Sequence, residues 1–588
     1  MSSPAAVFRF RECELDVAAF ELRRHGQPVR LERRPMELLL LLVENRGALV
    51  SRDDIVKRLW GERAFVDVEM GVNTAIRKVR QALNDPSNAP VFIETVSGKG
   101  YRFIASVQAA HPVDAAPAAR TRIAVLPFEN LGAGPDREYV ADGLTEETIA
   151  ALGQVDAEHM AVIGRTSVMA YKRTTKSLGE IGREMNAEYL LESSIRAEGE
   201  RVRVTAKLIR ARDQDQIWSA SFDSEPRSIL EFQRELAMVI AEQIRLRLSP
   251  ERLAVLTRRQ TLDAEAYDLY LRGRDLWRQL SPLGTRQAIE YYTRATRRDP
   301  NYALAWSGLA DAFAAAPING DAAPLQIGRQ AREAAARAIA AEPELTETQT
   351  TLAFVNFWLE WDWPGAEAAY LKAIALDANH AMAHRMLGVL YSHSGRHDEA
   401  RSSMRRAREL DMYGMHYALS AMIELHARDY DAALNFARQA TVVAPDFWIG
   451  HYHLGQAYER LGENELALDA LTVAGRLVGG NSKVMGVRGY IFGKLGRTAE
   501  AHEVLGTLDA VSRERYFPPY ATALVLMGLG EHERAIEWLE RAYDARDVHL
   551  IFLPVDPKWD ALQQDPRLRD LLKRCGFSTA RTPHALVL

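Results

Sequence analysis

A chain of 588 residues with 47% hydrophobic content is too long for one core, and at roughly 150 residues per domain it divides into three or four folding units. Its net charge of −5 does not by itself suggest a nucleic-acid partner, and its two cysteines, Cys13 and Cys575, stand at opposite ends, which excludes a disulfide framework and fits a reducing, cytoplasmic setting. The longest apolar run, Leu38 to Val43, is far short of the roughly 20 residues that cross a bilayer, and the N-terminus lacks a signal-peptide layout, so no membrane partner is expected.

The charge is unevenly placed: residues 1 to 105 carry +3 and the remainder −8, which permits DNA binding by the first segment. That segment opens with strand-like VFRFRECELDVAAFELRRHGQPVRL, with Gly26 in a hairpin turn. A helix is predicted from about Pro35 to Asn45, favoured by Pro in its first turn. A second, from a Ser51 cap with Asp53 and Asp54 in its first turn, runs to Trp60. A third spans about Met70 to Leu83, and VFIETVSGKGYRFIASV closes as a hairpin with Gly98 and Gly100 at its tip. Three helices followed by a β-hairpin is the winged-helix order.

The blocks VSRDDIVKRLWG, VNTAIRKVRQAL and IETVSGKGYRF, in that order, resemble the OmpR/PhoB-type winged helix-turn-helix of bacterial transcriptional regulators. The resemblance implies a third helix in the major groove and a wing reaching the minor groove. Ile76, Val79 and Leu83 recur at helical spacing and should face the core. The other face carries Asn73, Thr74, Arg77, Lys78, Arg80 and Gln81. Arg suits the acceptor pair of guanine, Asn or Gln the donor and acceptor pair of adenine, and Lys a phosphate. Lys99 and Arg102 are the wing candidates; Lys99 lies at the tip, whereas Arg102 alternates with core-facing Tyr101 and Phe103. Arg52 and the amides opening the second helix are candidate phosphate contacts. Family response regulators carry a receiver domain ahead of the winged helix, for which residue 1 leaves no room, so control without receiver phosphorylation is expected.

An Ala- and Pro-rich stretch at 106–121 reads as a linker. Residues 122–250 read as an α/β domain: strand RIAVLPF, a helix near Glu138 to Leu152, strand HMAVIG, a helix near Leu178 to Met185, and three strands EYLLESSIRA, RVRVTAKLIRA and QIWSASF joined by turns. Alternation of Val202, Val204, Ala206 and Leu208 with Arg203, Thr205 and Lys207 predicts an antiparallel meander wet on one side. A helix follows at Ser228 to Leu248. IAVLPFENL, YVADGLTEE, IGRTSVMAYK and YLLESSIR resemble the TolB N-terminal-like domain, which implies a fold more than an activity. Asp142, Glu146 and Glu147 read as favourable first-turn helix charges. No Gly-rich phosphate loop, GxSxG or HExxH is present, so neither an enzyme nor a cofactor is expected.

From residue 260 to 548 a repeat takes over. Ala288, Ala331, Ala366, Ala400, Ala433, Ala467, Ala501 and Ala535 are separated by 43, 35, 34, 33, 34, 34 and 34 residues, the tetratricopeptide (TPR) period. The rest of the pattern recurs, as in Leu387-Gly388, Tyr391, Gly395, Ala400 and Ala407. Pro300, Pro343 and Pro445 should end second helices. Eight all-α repeats are expected, the long one carrying an insertion near Pro317 to Pro324, with a cap and tail at 549–588 and a capping helix over 556–577. Stacked helix pairs offer a groove for a protein or peptide, and this registry lines it with Arg385, His393, His426, Tyr452, Gln456 and Arg460. Eight of the 15 histidines fall between His380 and His453; this raises a metal or pH-sensing site, but no tight ligand set is visible and no metal is assigned.

These readings describe a multidomain chain: a winged helix at 1–105, an α/β domain and a TPR superhelix. The expected function is that of a cytoplasmic one-component transcriptional regulator binding double-stranded promoter DNA as a homodimer on repeated half-sites, with RNA polymerase and a groove-bound protein as further partners. The competing reading is a TPR scaffold whose winged helix mediates protein contacts.

Overall fold

In a computed structural model, the structure describes residues 7–11, 13–16, 21–24, 27–29, 31–45, 47–60, 68–86, 90–96, 98–105, 108–110, 120–132, 138–155, 160–198, 201–224, 239, 261, 263–278, 281–320, 322–411 and 414–577. Two compact units divide the chain between Ala118 and Ala119. The expected turn at Gly26, most of the linker and the helix at 228–248 lie outside the described residues, apart from residue 239.

The first unit begins with β1 (Val7–Phe10), β2 (Cys13–Asp16), β3 (Glu21–Arg24) and β4 (Gln27–Val29), an antiparallel meander. Helices α1 (Arg33–Glu44), α2 (Arg52–Trp60) and α3 (Val68–Leu83) follow, with β5 (Leu49–Ser51) ahead of α2, and β6 (Ile93–Val96) and β7 (Gly100–Phe103) form the wing. The reciprocal bonds between Ser51 and Asp54 make the expected cap of α2: Asp54 N–H donates to Ser51 Oγ at 3.1 Å, and Ser51 Oγ donates to the Asp54 carboxylate at 2.6 Å. Val72, Ala75, Ile76, Val79 and Leu83 of α3 are buried against Leu38, Leu39, Leu42 and Val43 of α1. Phe10 meets Phe92 and Phe103 edge-on, joining the meander to the wing.

Two elements escaped the pattern. Leu49–Ser51 pairs with β7, because Gly47 lets the chain reverse after α1 with its amide on Phe103 O at 3.0 Å. Gln108–Ala110, read as linker, is strand β8 against β1, completing the order β4-β3-β2-β1-β8; its alanines carry no apolar signal, and the backbone pairing defines it.

The second unit opens with a sheet ordered β11-β9-β12-β13-β14: β9 (Thr121–Val125), β11 (Met160–Val162) and β12 (Tyr189–Glu198) are parallel neighbours, while β12, β13 (Arg201–Arg210) and β14 (Asp215–Ser224) form the expected antiparallel meander; β10 (Glu129–Asn130) sits beside β12. Val204, Ala206 and Leu208 are buried while Arg203 is exposed. Helix α4 (Glu138–Val155) covers one face, with Ala141, Leu144 and Leu152 against Ile123 and Val125; α5 (Arg165–Met169) and α6 (Leu178–Glu184) close a smaller core on the other face.

Among the described residues eight helix pairs follow. Their first (A) helices are Ala264–Trp277, Ala303–Gly320, Thr346–Val355, Ala381–His393, Gly414–His426, Trp448–Arg460, Ser482–Lys494 and Pro519–Gly528; their second (B) helices are Pro282–Arg298, Pro324–Ala341, Trp363–Leu376, His397–Leu410, Tyr430–Val443, Asn464–Val478, Thr498–Glu514 and His532–Asp544. All eight alanines of the 34-residue register are fully buried in the B helices, where a larger side chain would hold the helix pair apart. The long interval is absorbed by helix A of repeat 2, which runs for 18 residues with Pro317 inside it, against 13 in repeat 4, and by an earlier start of its helix B at Pro324 ahead of Ala331. After repeat 8 come 3-10 turns Val548–Phe552 and Pro557–Leu562 and a short helix Pro566–Arg574, in place of one capping helix over 556–577.

The middle domain is packed onto this array. Gly164 N–H donates to Leu410 O at 2.7 Å, Ser167 donates from amide and hydroxyl to Asp411 Oδ1 at 2.9 and 2.8 Å, and Asn379 Nδ2 donates to Met160 O at 3.1 Å. At repeat 1, Arg274 donates to Gly143 O at 3.2 Å and Tyr267 to Glu147 at 2.5 Å. Asp142, Glu146 and Glu147, read as first-turn helix charges, lie beyond the first turn of α4: Glu146 and Glu147 serve this seam, each 3.5 Å from the buried Arg274 guanidinium, while Asp142 holds Lys172 of its own domain at 2.5 Å.

Candidate nucleic-acid interface

On α3 the apolar side fixes which residues face outward. Asn73, Arg77 and Gln81, spaced at i, i+4 and i+8, form an exposed stripe, flanked by half-buried Thr74 and Lys78. Arg77 and Gln81 have no side-chain partner among the described residues. Lys78 reaches back to Glu32 at 2.6 Å. Arg80, expected on the same outer face, is instead drawn inward: its guanidinium donates to Ile93 O at 2.7 Å and Thr95 Oγ1 at 2.9 Å, which ties α3 to the wing.

The wing is anchored by Asp85, a residue the sequence reading passed over. Its fully buried carboxylate accepts from Val91 N at 2.6 Å, Phe92 N at 3.1 Å and Ile93 N at 2.9 Å. Asn84, at φ 58°, turns the chain out of α3 and aims that carboxylate. The only signal for it was the turn-forming triplet Asn84-Asp85-Pro86. At the other end of the hairpin Gly100, at φ +155°, passes so close to β5 that a Cβ would lie 2.1 Å from Val50 O. Lys99 at the tip is exposed and, among the described residues, has no side-chain partner. Arg102 instead pairs with Glu94 across the hairpin at 3.0 Å.

Arg52 is half-buried. One of its terminal nitrogens bonds Asn73 Oδ1 at 3.3 Å and Tyr101 OH at 3.2 Å, and its guanidinium sits 5.5 Å from the Tyr101 ring centroid. Tyr101, expected only as a core ring, also donates its hydroxyl proton to Asn73 Oδ1 at 3.1 Å. The Ser51 cap holds the Asp54 carboxyl below its usual range.

The six residues expected to line the TPR groove are placed as follows. His393 and His426 end the A helices of repeats 4 and 5 with ring centroids 5.1 Å apart, and Phe552 of the C-terminal turn lies 5.0 Å from His393. Gln456 accepts from Lys558 Nζ at 2.6 Å. Tyr452 packs on Trp448 and His453, and Arg460 bonds Glu459 and Tyr490 OH. Arg385 is half-buried. The chain's own segment 548–562 packs against His393, His426 and Gln456. Burial pushes the His393 imidazole down to about 4 and His426 well below its ordinary value, so both are neutral at pH 7. Among the described residues no three metal-ligating side chains converge, and no helix is long and apolar enough to cross a membrane.

With this geometry in hand, residues 26–103 match the family described as "Transcriptional regulatory protein, C terminal", residues 119–239 that described as "HilA/YgeH-like transcriptional regulator, second domain", and residues 270–326, 362–414 and 419–481 "Tetratricopeptide repeat". The middle segment, expected to resemble TolB N-terminal-like domains, thus finds its match among HilA-like regulators. The chain is 33% identical over 220 residues to "Putative adenylate cyclase 3" of Rhizobium meliloti, covering 37% of each chain, and 23% identical over 296 residues to "Transcriptional regulator HilA" of Salmonella typhimurium, covering 50% of each. It therefore spans half or less of the length of these curated relatives. Among solved structures, the Klebsiella pneumoniae RstA DNA-binding domain, crystallised with the RstA box, is 28% identical and is matched over 96% of its length and 17% of this chain, with a TM-score of 0.16. The chain is a fusion of an OmpR/PhoB-type winged helix, a HilA-like regulator domain and tetratricopeptide repeats.

Proposed function

We propose that this chain is a cytoplasmic transcriptional regulator that binds double-stranded promoter DNA, with α3 in the major groove and the Lys99 tip at the minor groove, as a homodimer that contacts RNA polymerase. The observation carrying this reading is the exposed Asn73, Arg77 and Gln81 stripe, together with a wing tip whose cation is unengaged among the described residues. Arg77 and Lys99 are the assigned contacts, to a base edge and a phosphate respectively. Arg80 and Arg102 support the frame. The chain acts by binding: its matched segments are those of transcriptional regulators and tetratricopeptide repeats, and the relative named as an adenylate cyclase is matched over 37% of its own length. The repeats take a protein partner, which must displace segment 548–562 to reach His393, His426 and Gln456.

Mobility-shift titration of the full chain on genomic fragments tests this. Arg77→Ala should weaken binding about tenfold and relax one base position, whereas Lys99→Ala should weaken all sites alike and lower the salt slope by about one. Wild type and both variants binding equally weakly, with no salt slope, would refute the reading.

A further inference from the structure

Resting on that DNA-binding reading, we infer that Asn73 is a specificity-determining residue that acts only as a hydrogen-bond donor, selecting guanine or thymine over adenine at the base it faces. The side-chain types alone had pointed to adenine, because an amide can accept from adenine N6 while donating to N7. Its surroundings remove half of that capacity.

A guanidinium only donates, so the Asn73 atom 3.3 Å from Arg52 is necessarily the carbonyl oxygen. Tyr101 OH lies 3.2 Å from the same Arg52 nitrogen and accepts there, so its single proton goes to Asn73 Oδ1 at 3.1 Å. Both lone pairs of that oxygen are thus taken, and nothing remains to accept from adenine N6. Flipping the amide would set its NH2 against the Arg52 guanidinium, which can only donate. Tyr101 is only 3% exposed, so its ring holds the hydroxyl in place beside Asn73. Asn73 itself is exposed, leaving Nδ2 to reach outward. Guanine offers two adjacent acceptors, O6 and N7, and thymine offers O4; adenine sets an N6 donor beside N7, which opposes the amide hydrogens. Arg52 is on this account a positioning residue, and Tyr101 a second.

Selection of sites from a random duplex pool tests this with the full-length wild type, Asn73→Ala and Tyr101→Phe. In the wild type the one position that Asn73→Ala flattens should carry guanine or thymine, with adenine disfavoured about tenfold. Tyr101→Phe keeps the ring and frees one lone pair, so the bias against adenine should fall to about twofold. If that variant melts below the wild type, Arg52→Met makes the same test without touching the buried ring. Adenine at the Asn73-dependent position, no position altered by Asn73→Ala, or a bias unchanged in the folded positioning variants overturns this inference while leaving DNA binding intact. A wild type that enriches no sequence overturns the DNA-binding reading, and the inference with it.

Discussion

Asp411 carries the seam between the middle domain and the repeats, and its removal should be costly. Its carboxylate, in a residue 8% exposed, takes both the amide and the hydroxyl of Ser167, 244 residues away in sequence. In Asp411→Ala those two donors stay buried without an acceptor, at about 1–3 kcal/mol each, while relief from desolvating the carboxylate returns part of the loss. A net destabilisation of about 3 kcal/mol is expected, with Asp411→Asn, whose one carbonyl oxygen still accepts from Ser167 while its NH2 opposes the donors of Thr166, losing about half. Nine of the ten tryptophans lie beyond residue 119, so urea unfolding followed by tryptophan fluorescence reports on this unit. A loss below about 0.5 kcal/mol would show that the middle domain does not depend on the repeats at this point. Gly164 offers an independent check: a Cβ there would sit 2.4 Å from Asp411 Cβ, so Gly164→Ala should weaken the same transition by steric means.

Asp85→Ala leaves three amides without their carboxylate and should melt the first unit by several degrees, with a greater loss of DNA affinity in mobility shift than Lys99→Ala, since the whole wing loses its anchor. Acid should destabilise the second unit. Burial depresses His384 and His393 to about 4 and His416 and His453 to about 3. Below the unfolded value near 6.5 the unfolded chain binds protons that the folded chain refuses, so stability falls from pH 6.5 towards 4 by up to about 3 kcal/mol per histidine. Asp311 and Glu347, raised by burial to about 7, and Asp377, to about 6, work in the opposite sense and become more favourable as pH falls through that window. The more numerous histidines should prevail; thermal melts showing a midpoint that is flat or rising from pH 6.5 to 4 would contradict this, and His393→Gln should make the fall shallower.

What could be read from the chain was whatever repeats or is local. The alanine register exposed all eight repeats because one packing demand recurs at every helix pair, and the Ser51 cap showed because its partner is three residues away. On α3 the apolar spacing located the outer face correctly but not the fate of each side chain on it. Arg80 and Gln81 are adjacent and equally polar, yet one is spent on Ile93 O and the other is free among the described residues. That difference lies in the path of the wing, which enters the pattern of α3 nowhere. Asp411 with Ser167, and Lys558 with Gln456, are likewise pairs more than 100 residues apart on segments that each look solvent-facing alone.

The same long-range pairs bear on how the repeats could take a partner. Two A helices end in the buried neutral imidazoles of His393 and His426, and a third carries Gln456 near its end, on a surface the rest of the chain packs against. The chain covers them with an aromatic ring on the His393 and His426 pair and an ammonium on Gln456, the latter also balanced by Asp556 at 3.1 Å. Trp559, fully buried and donating to Tyr520 OH at 2.7 Å, holds the covering segment down. A protein that reaches these residues must therefore supply an aromatic and a cation at the same spacing while unseating Trp559, a far more selective requirement than a polar groove open to any extended peptide.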